Sequence, residues 1–236
     1  MTPPDRVSGY HVLCFRTRDA AIPLLMKSQD LLLLFKLVSL ERLQQASTTA
    51  DRAPLGIPDD WRGWTADPAA EPAGSGQAAG ELFSVRALEE STGISKSEVS
   101  HALRRCMDVG LARHERGSGV PRANTRALLG FTLNGLKYVF PARPGPLVRG
   151  IPTAHAAPVL ADRLFSAGEH IHVWEDGFGT VQGQRVDPLY RSVPYAVRRD
   201  ADLYAMLALV DSIRLGQERE SALAGKLLAD YLRASP

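Results

Sequence analysis

Two glycines, Gly93 and Gly110, bracket the segment ISKSEVSHALRRCMDV, and the residues between them repeat with a helical period. Val99, Leu103 and Cys106/Met107 recur at i, i+4 and i+7/8, an apolar stripe that has to face a core. Opposite it stand Ser97, Ser100, His101 and Arg104. Ser95 and Glu98 have the S-x-x-E spacing of a capping box, in which each side chain serves an amide of the other. The pattern predicts a helix over residues 95–109, stopped by Gly110. Just upstream, Ser84 caps a shorter helix through Ser91, with Val85 and Leu88 inward, and Gly93 supplies the left-handed residue that ends it. The short connection TGIS between the two is the spacing of a helix-turn-helix.

Such a face has the chemistry of a groove reader. Short hydroxyls let a helix approach base edges closely, and Arg104 can make a bidentate contact to guanine. Lys96 and Arg105 flank the face and suit phosphates, which supply sequence-independent affinity. After Gly110, LARHERGSGVPRANTRALLGFTL reads as two short strands around a Gly/Pro/Asn loop. Arg113, Arg116, Arg122 and Arg126 place cations along that hairpin, which can follow the backbone or put an arginine into a minor groove. Between residues 96 and 126 seven Lys/Arg stand against three Asp/Glu, a local excess larger than the +2 of the whole chain. The cation excess therefore sits where the reading face does.

At these residues the chain resembles winged-helix transcriptional regulators, most closely the MarR-like group. SVRALEESTGISKSEVSHALRRCMDVGLARHERGSG is similar to their run of support helix, turn, recognition helix, short strand and basic wing. The resemblance covers residues 26–141. It implies a homodimer on a near-palindromic site of double-stranded DNA, with Ser97, Ser100, His101 and Arg104 in the major groove. The chain departs from the group in a long insert at 48–80, where those proteins have a compact helix, and that bears on dimer arrangement more than on DNA contact.

The expected fold class is mainly α with a small β wing (α+β): a winged helix-turn-helix domain plus a C-terminal helical extension. Residues 1–20 have no period and read as a flexible arm. Residues 21–141 form the DNA-binding domain, opening with a helix from Ser28 or Asp30 to Gln45 that carries Leu32, Phe35, Leu40 and Leu43 near one face. The insert is read as disordered, because DPAAEPAGSGQAAG offers almost no core-forming side chains; Trp61 and Trp64 would pin its start. Thr132 starts a further helix stopped by Pro141, and Gly/Pro signals break any long element between 144 and 158. Residues 142–198 read as an irregular, small β segment of unassigned role, with a strand at 170–174 and DGFG as a turn. Asp200 caps a helix through Leu215, and a second amphipathic helix runs over 217–232. Segment 199–236 is assigned to dimerisation, with Leu32, Phe35, Leu40, Met206, Leu207, Val210 and Leu228 as the interface, since they exceed what one small winged helix needs.

Other signals are weaker. His170 and His172 share one side of a strand, with Glu169, Glu175 and Asp176 near and His155 the remaining candidate ligand; two histidines at a strand edge is the simpler reading, and no metal is assigned. GFGTVQG has G-x-G-x-x-x-G spacing and reads as a hairpin turn rather than a phosphate loop. Cys106 is a small core hydrophobe or, alternatively, a redox switch, which requires an accessible thiol of low pKa. RGIPTAHAAPVL reads as a crossing arm or a pocket wall. No nucleophile triad, carboxylate pair or Walker loop stands out, so neither an enzyme nor a cofactor is expected. Cys14 and Cys106 make no disulfide framework, and no signal peptide or uninterrupted apolar span is present; a cytoplasmic protein without membrane contact is expected. The reading is a sequence-specific transcriptional regulator, a dimeric repressor, with room for a small-molecule or protein effector. The alternatives are an antitoxin or adaptor whose winged helix binds a protein, and an enzyme with its site around residues 170–176.

Overall fold

The computed structural model describes residues 26–48, 64, 80–161, 163, 170–216 and 218–233. The arm at 1–20, Cys14, Trp61 and the insert, apart from its ends and Trp64, lie outside the described residues. The fold is mixed α+β. In chain order come α1 (Ser28–Thr48), a 3-10 turn (Glu81–Phe83), α2 (Val85–Thr92), α3 (Lys96–Asp108), β1 (Ala112–His114), β2 (Pro121–Ala123), α4 (Thr125–Asn134) and α5 (Leu136–Val139). Then follow β3 (Pro144–Thr153), a 3-10 turn (Ala154–Ala156), α6 (Pro158–Ala161), β4 (His172–Glu175), β5 (Val181–Val186), α7 (Val193–Val197), α8 (Ala201–Leu215) and α9 (Glu218–Arg233).

Helix α1 is the axle of the molecule. A helix that is apolar all round must be buried all round, and every residue from Leu31 to Leu40 is buried, Lys36 and Ser39 included. Two ionic ties make that tolerable. Lys36 Nζ lies 2.8 Å from Asp200 Oδ2, and Ser39 donates to the same carboxylate at 2.7 Å. Arg105 of α3 reaches Asp30 with Nε at 2.9 Å and Nη2 at 2.6 Å. Helix α8 is buried from Leu203 to Arg214. It packs against α1 and α9, and the buried apolar residues of α1, α3, α8 and α9 belong to one contiguous core.

The assigned dimer residues therefore require correction. Leu32, Phe35, Met206, Val210 and Leu228 are 0 % exposed, Leu207 2 % and Leu40 3 %. Their surplus of apolar surface is consumed inside one chain, where α1 packs on α8 and α8 on α9.

Local signals for helix ends hold in several places. Ser84 accepts from Ala87 N and Gly93 takes φ 69°, while Asp200 accepts from Leu203 N. Others do not. Helix α4 begins at Thr125 rather than Thr132, because Asn124 caps it by accepting from Ala127 N. The expected break over 144–158 is replaced by the ten-residue strand β3. Its C-terminal half pairs antiparallel with β4, its N-terminal half antiparallel with β5, and β4 and β5 close the three strands through a short parallel pairing. Closure needs glycine: a Cβ on Gly150 would collide with the Trp174 carbonyl, and one on Gly183 with that of Ile171. DGFG is a turn, with Gly179 N donating to Asp176 O, but it joins parallel-paired strands and not a hairpin. Trp64 does pin the insert, bridging to Gly179 and meeting the Tyr204 ring edge-on at 5.3 Å. Buried Asp211 ties this sheet to α8, accepting from Trp174 Nε1 at 2.6 Å, Thr153 Oγ1 at 3.1 Å and Arg214 at 2.6 Å.

Candidate nucleic-acid interface

Helix α3 divides as its period requires. Val99, Ala102 and Cys106 are buried and Leu103 and Met107 partly so, whereas Ser97, Ser100, His101 and Arg104 are all exposed on the other side. The helix is held in place from below by Arg105 and from its start by Glu98, which accepts from Gln29 and from Lys27. That use of Glu98 undoes the capping box: Ser95 makes no side-chain cap bond, and Glu89 instead accepts from Lys96 N at 3.2 Å. The Glu98 carboxyl is held below the usual range by the Gln29 hydrogen bond, against burial, with Lys27 and Arg105 assisting.

Two of the assigned phosphate contacts are lost. Arg105 is 4 % exposed and committed to Asp30, so it cannot reach solvent. Arg122 turns back onto the body, donating to Gln44 at 2.9 Å and Glu115 at 3.2 Å, with its guanidinium 4.6 Å from the Phe83 ring centroid. Arg126 lies on α4 rather than on the hairpin, yet is exposed. Arg113 and Arg116 are exposed on the hairpin, and Lys96, with a loose 3.7 Å pair to Glu89, stays at the start of α3.

The hairpin is a built element. Strands β1 and β2 pair antiparallel, with Arg113 opposite Arg122. Gly117 and Gly119 turn its tip through positive φ, and Glu115 anchors it by accepting from Ser118 at 2.6 Å and from Arg122. Between the tip and the end of α1 lies a groove of about 900 Å³, lined by Glu41, Gln44, Arg113, Glu115 and Arg116 among others. Its lining carries both signs, so it is not a phosphate cradle by itself.

Cys106 is 2 % exposed, and burial, aided by Asp30, pushes its thiol up to about 12. A redox switch needs the opposite, an accessible thiolate. In a Cys14→Ser background, a thiol reagent at about pH 8 is expected to label Cys106 only as fast as the chain opens; rapid labelling of folded protein would contradict this burial. His170 is exposed and stands apart, while His155 and His172 meet edge-on with ring centroids 4.8 Å apart. Burial lowers His172 to about 4, His155 adding to the effect. His155 Nδ1 is 3.9 Å from Glu220 Oε2, but among the described residues no group of three His, Cys, Asp or Glu can hold a metal ion. No helix among the described residues is long and apolar enough to cross a membrane.

Sequence reasoning missed the neighbours of the turn between α2 and α3. Ser192 donates to Thr92 O at 2.6 Å, and the Tyr195 hydroxyl donates to Glu90 O at 2.9 Å. The sole signal in the sequence was SVP, a serine followed by a proline near a helix start, which marks a helix but not what it touches. No protein-family model, no curated protein and no solved structure matches the chain.

Proposed function

We propose that the chain is a winged helix-turn-helix regulator that binds double-stranded DNA in a sequence-specific way and acts as a dimeric cytoplasmic repressor. One observation carries the reading: Ser97, Ser100, His101 and Arg104 lie exposed along a helix whose opposite side is fixed in the core. Among the described residues no partner engages Ser100, His101 or Arg104, so their donors are available to an outside ligand. The order of elements from α2 to β2 supports the same reading, since it places a turn before this helix and a cation-bearing hairpin after it. In this reading α3 enters the major groove, Arg104 reads a guanine, and Lys96, Arg113, Arg116 and Arg126 neutralise phosphates. Arg105 and Arg122 drop out of the contact set. The protein needs no cofactor for this, and pairing of two copies uses surface other than the buried residues of α1, α8 and α9.

A second reading has an observation of its own. Tyr138, Val139 and Leu147 are 75 %, 53 % and 49 % exposed. Such exposed apolar side chains suit an adaptor or antitoxin that binds a protein.

The test is selection of duplexes from a random pool, followed by anisotropy titration across a range of salt. Arg104→Ala should weaken the selected duplex by about 1–3 kcal/mol and relax preference at one base pair. Lys96→Ala should weaken all duplexes alike and lower the salt slope by about one. Absence of any salt-sensitive binding by the unmodified protein, or indifference of both variants, overturns the reading.

A further inference from the structure

Helix α2 ends at the turn that launches α3, and a helix C-terminus leaves its last carbonyls without partners in the helix. Gly93 N closes one of these by donating to Glu89 O. Two more are met from outside: Tyr195 donates to Glu90 O and Ser192 to Thr92 O, both from the segment around α7, a hundred residues along the chain. Close approach is required for this. A Cβ on Gly93 would stand 3.1 Å from the Ser192 Cβ and 3.3 Å from Tyr195 Cδ1, so the φ 69° glycine provides room as well as the turn. Tyr195 is itself held: Arg199 lies 3.8 Å over its ring and donates to its carbonyl at 3.1 Å. The next residue, Asp200, caps α8 and receives Lys36 and Ser39 of α1. The segment 192–200 thus joins the turn before α3 to the buried Lys36–Asp200 ionic tie.

We infer that Ser192 and Tyr195 are positioning residues for the reading helix, clamping the α2–α3 turn so that α3 leaves it at one fixed angle. The inference rests on the proposed DNA contact for its consequence but not for its mechanics. Neither residue touches nucleic acid; they act through the backbone of residues 90–93. A turn that wanders spreads α3 over several orientations, and cognate binding then has to select one of them. Non-specific phosphate contacts tolerate that spread, so the loss falls on specificity.

The experiment uses the full chain carrying Ser192→Ala and Tyr195→Phe together, which remove both donors and leave the side-chain bodies in place. Amide exchange at residues 93–97 is expected to quicken about tenfold or more, with α8 amides unchanged. Affinity for the duplex selected by the unmodified protein should fall about five- to tenfold, while affinity for random duplex and the salt slope stay the same. Ser192→Thr, which keeps the hydroxyl, should behave as the unmodified protein. Unchanged exchange at 93–97 in the double variant overturns the clamp. Faster exchange with unaltered cognate affinity overturns its positioning role. Failure of the unmodified protein to bind any duplex overturns the proposed function, and the exchange data still judge the clamp.

Discussion

Arg105→Ala is expected to destabilise the chain by about 3–5 kcal/mol, enough to lower its melting temperature by about ten degrees or more. The neighbouring Arg104→Ala should change stability by no more than about 0.5 kcal/mol. Two adjacent arginines of one helix differ this much because of what lies beneath them. Arg105 holds Asp30 through two hydrogen bonds, and Asp30 is 0 % exposed. Removing the guanidinium leaves a buried carboxylate whose remaining polar contact among the described residues is the Lys27 amide at 2.9 Å. The cost lies in that stranded charge rather than in the lost attraction, since desolvation of both ions already offsets much of the pair's Coulomb energy. Replacing both partners, Arg105→Met with Asp30→Leu, should therefore recover most of the loss. Urea denaturation of the three variants checks this. An Arg105→Ala midpoint equal to that of the unmodified protein would return Arg105 to the proposed phosphate contacts.

The pair also shows where sequence reasoning stops. The helical period places Arg105 at the margin of the apolar stripe, and at a margin the period cannot tell a snorkelling cation from a buried one. The deciding residue is 75 positions away on α1. The same holds for Glu98: its spacing to Ser95 fits a capping box, but its carboxylate accepts from Lys27, just before α1, and from Gln29 in the first turn of α1. Features that are settled within one turn of chain were legible, as at Ser84, Gly93, Asp200 and the β1–β2 hairpin. Strand β3 was hidden because Pro144, Pro146, Gly150 and Pro152 look like breakers in isolation. Gly150 is in fact demanded by the backbone crossing it, and that crossing exists only once β4 has folded against it. Exposure of the α3 face was legible because amphipathicity is itself a statement about two environments. The clamp at the turn was not, since hydrogen bonds across a hundred residues leave no local pattern.

Val210→Asp should yield an unfolded chain, not the folded monomer that an interface residue would give. Its α8 neighbours Leu209 and Asp211 are buried too, and Val210 itself is 0 % exposed. A carboxylate there gains no cation from its own helix, because the nearest along α8, Arg214, already pairs with Asp211 at 2.6 Å. An unpaired buried charge costs several kcal/mol even after its pKa rises to shed the charge, and the protonated acid still leaves a polar group among leucines. Lost packing of the two methyl groups adds to that. The sum exceeds about 4–5 kcal/mol, a large share of the roughly 5–15 kcal/mol that holds a domain together. Tyr138→Asp, at a site 75 % exposed, should leave the denaturation midpoint within about 0.5 kcal/mol of the original. Near-ultraviolet circular dichroism separates the outcomes, because Trp174 and Tyr204 lie beside α8 and within it and lose their fixed environment if the helix departs. A Val210→Asp chain that keeps the native near-ultraviolet spectrum and sediments as a monomer would mean that α8 faces a second copy, and that the core described around it is an interface.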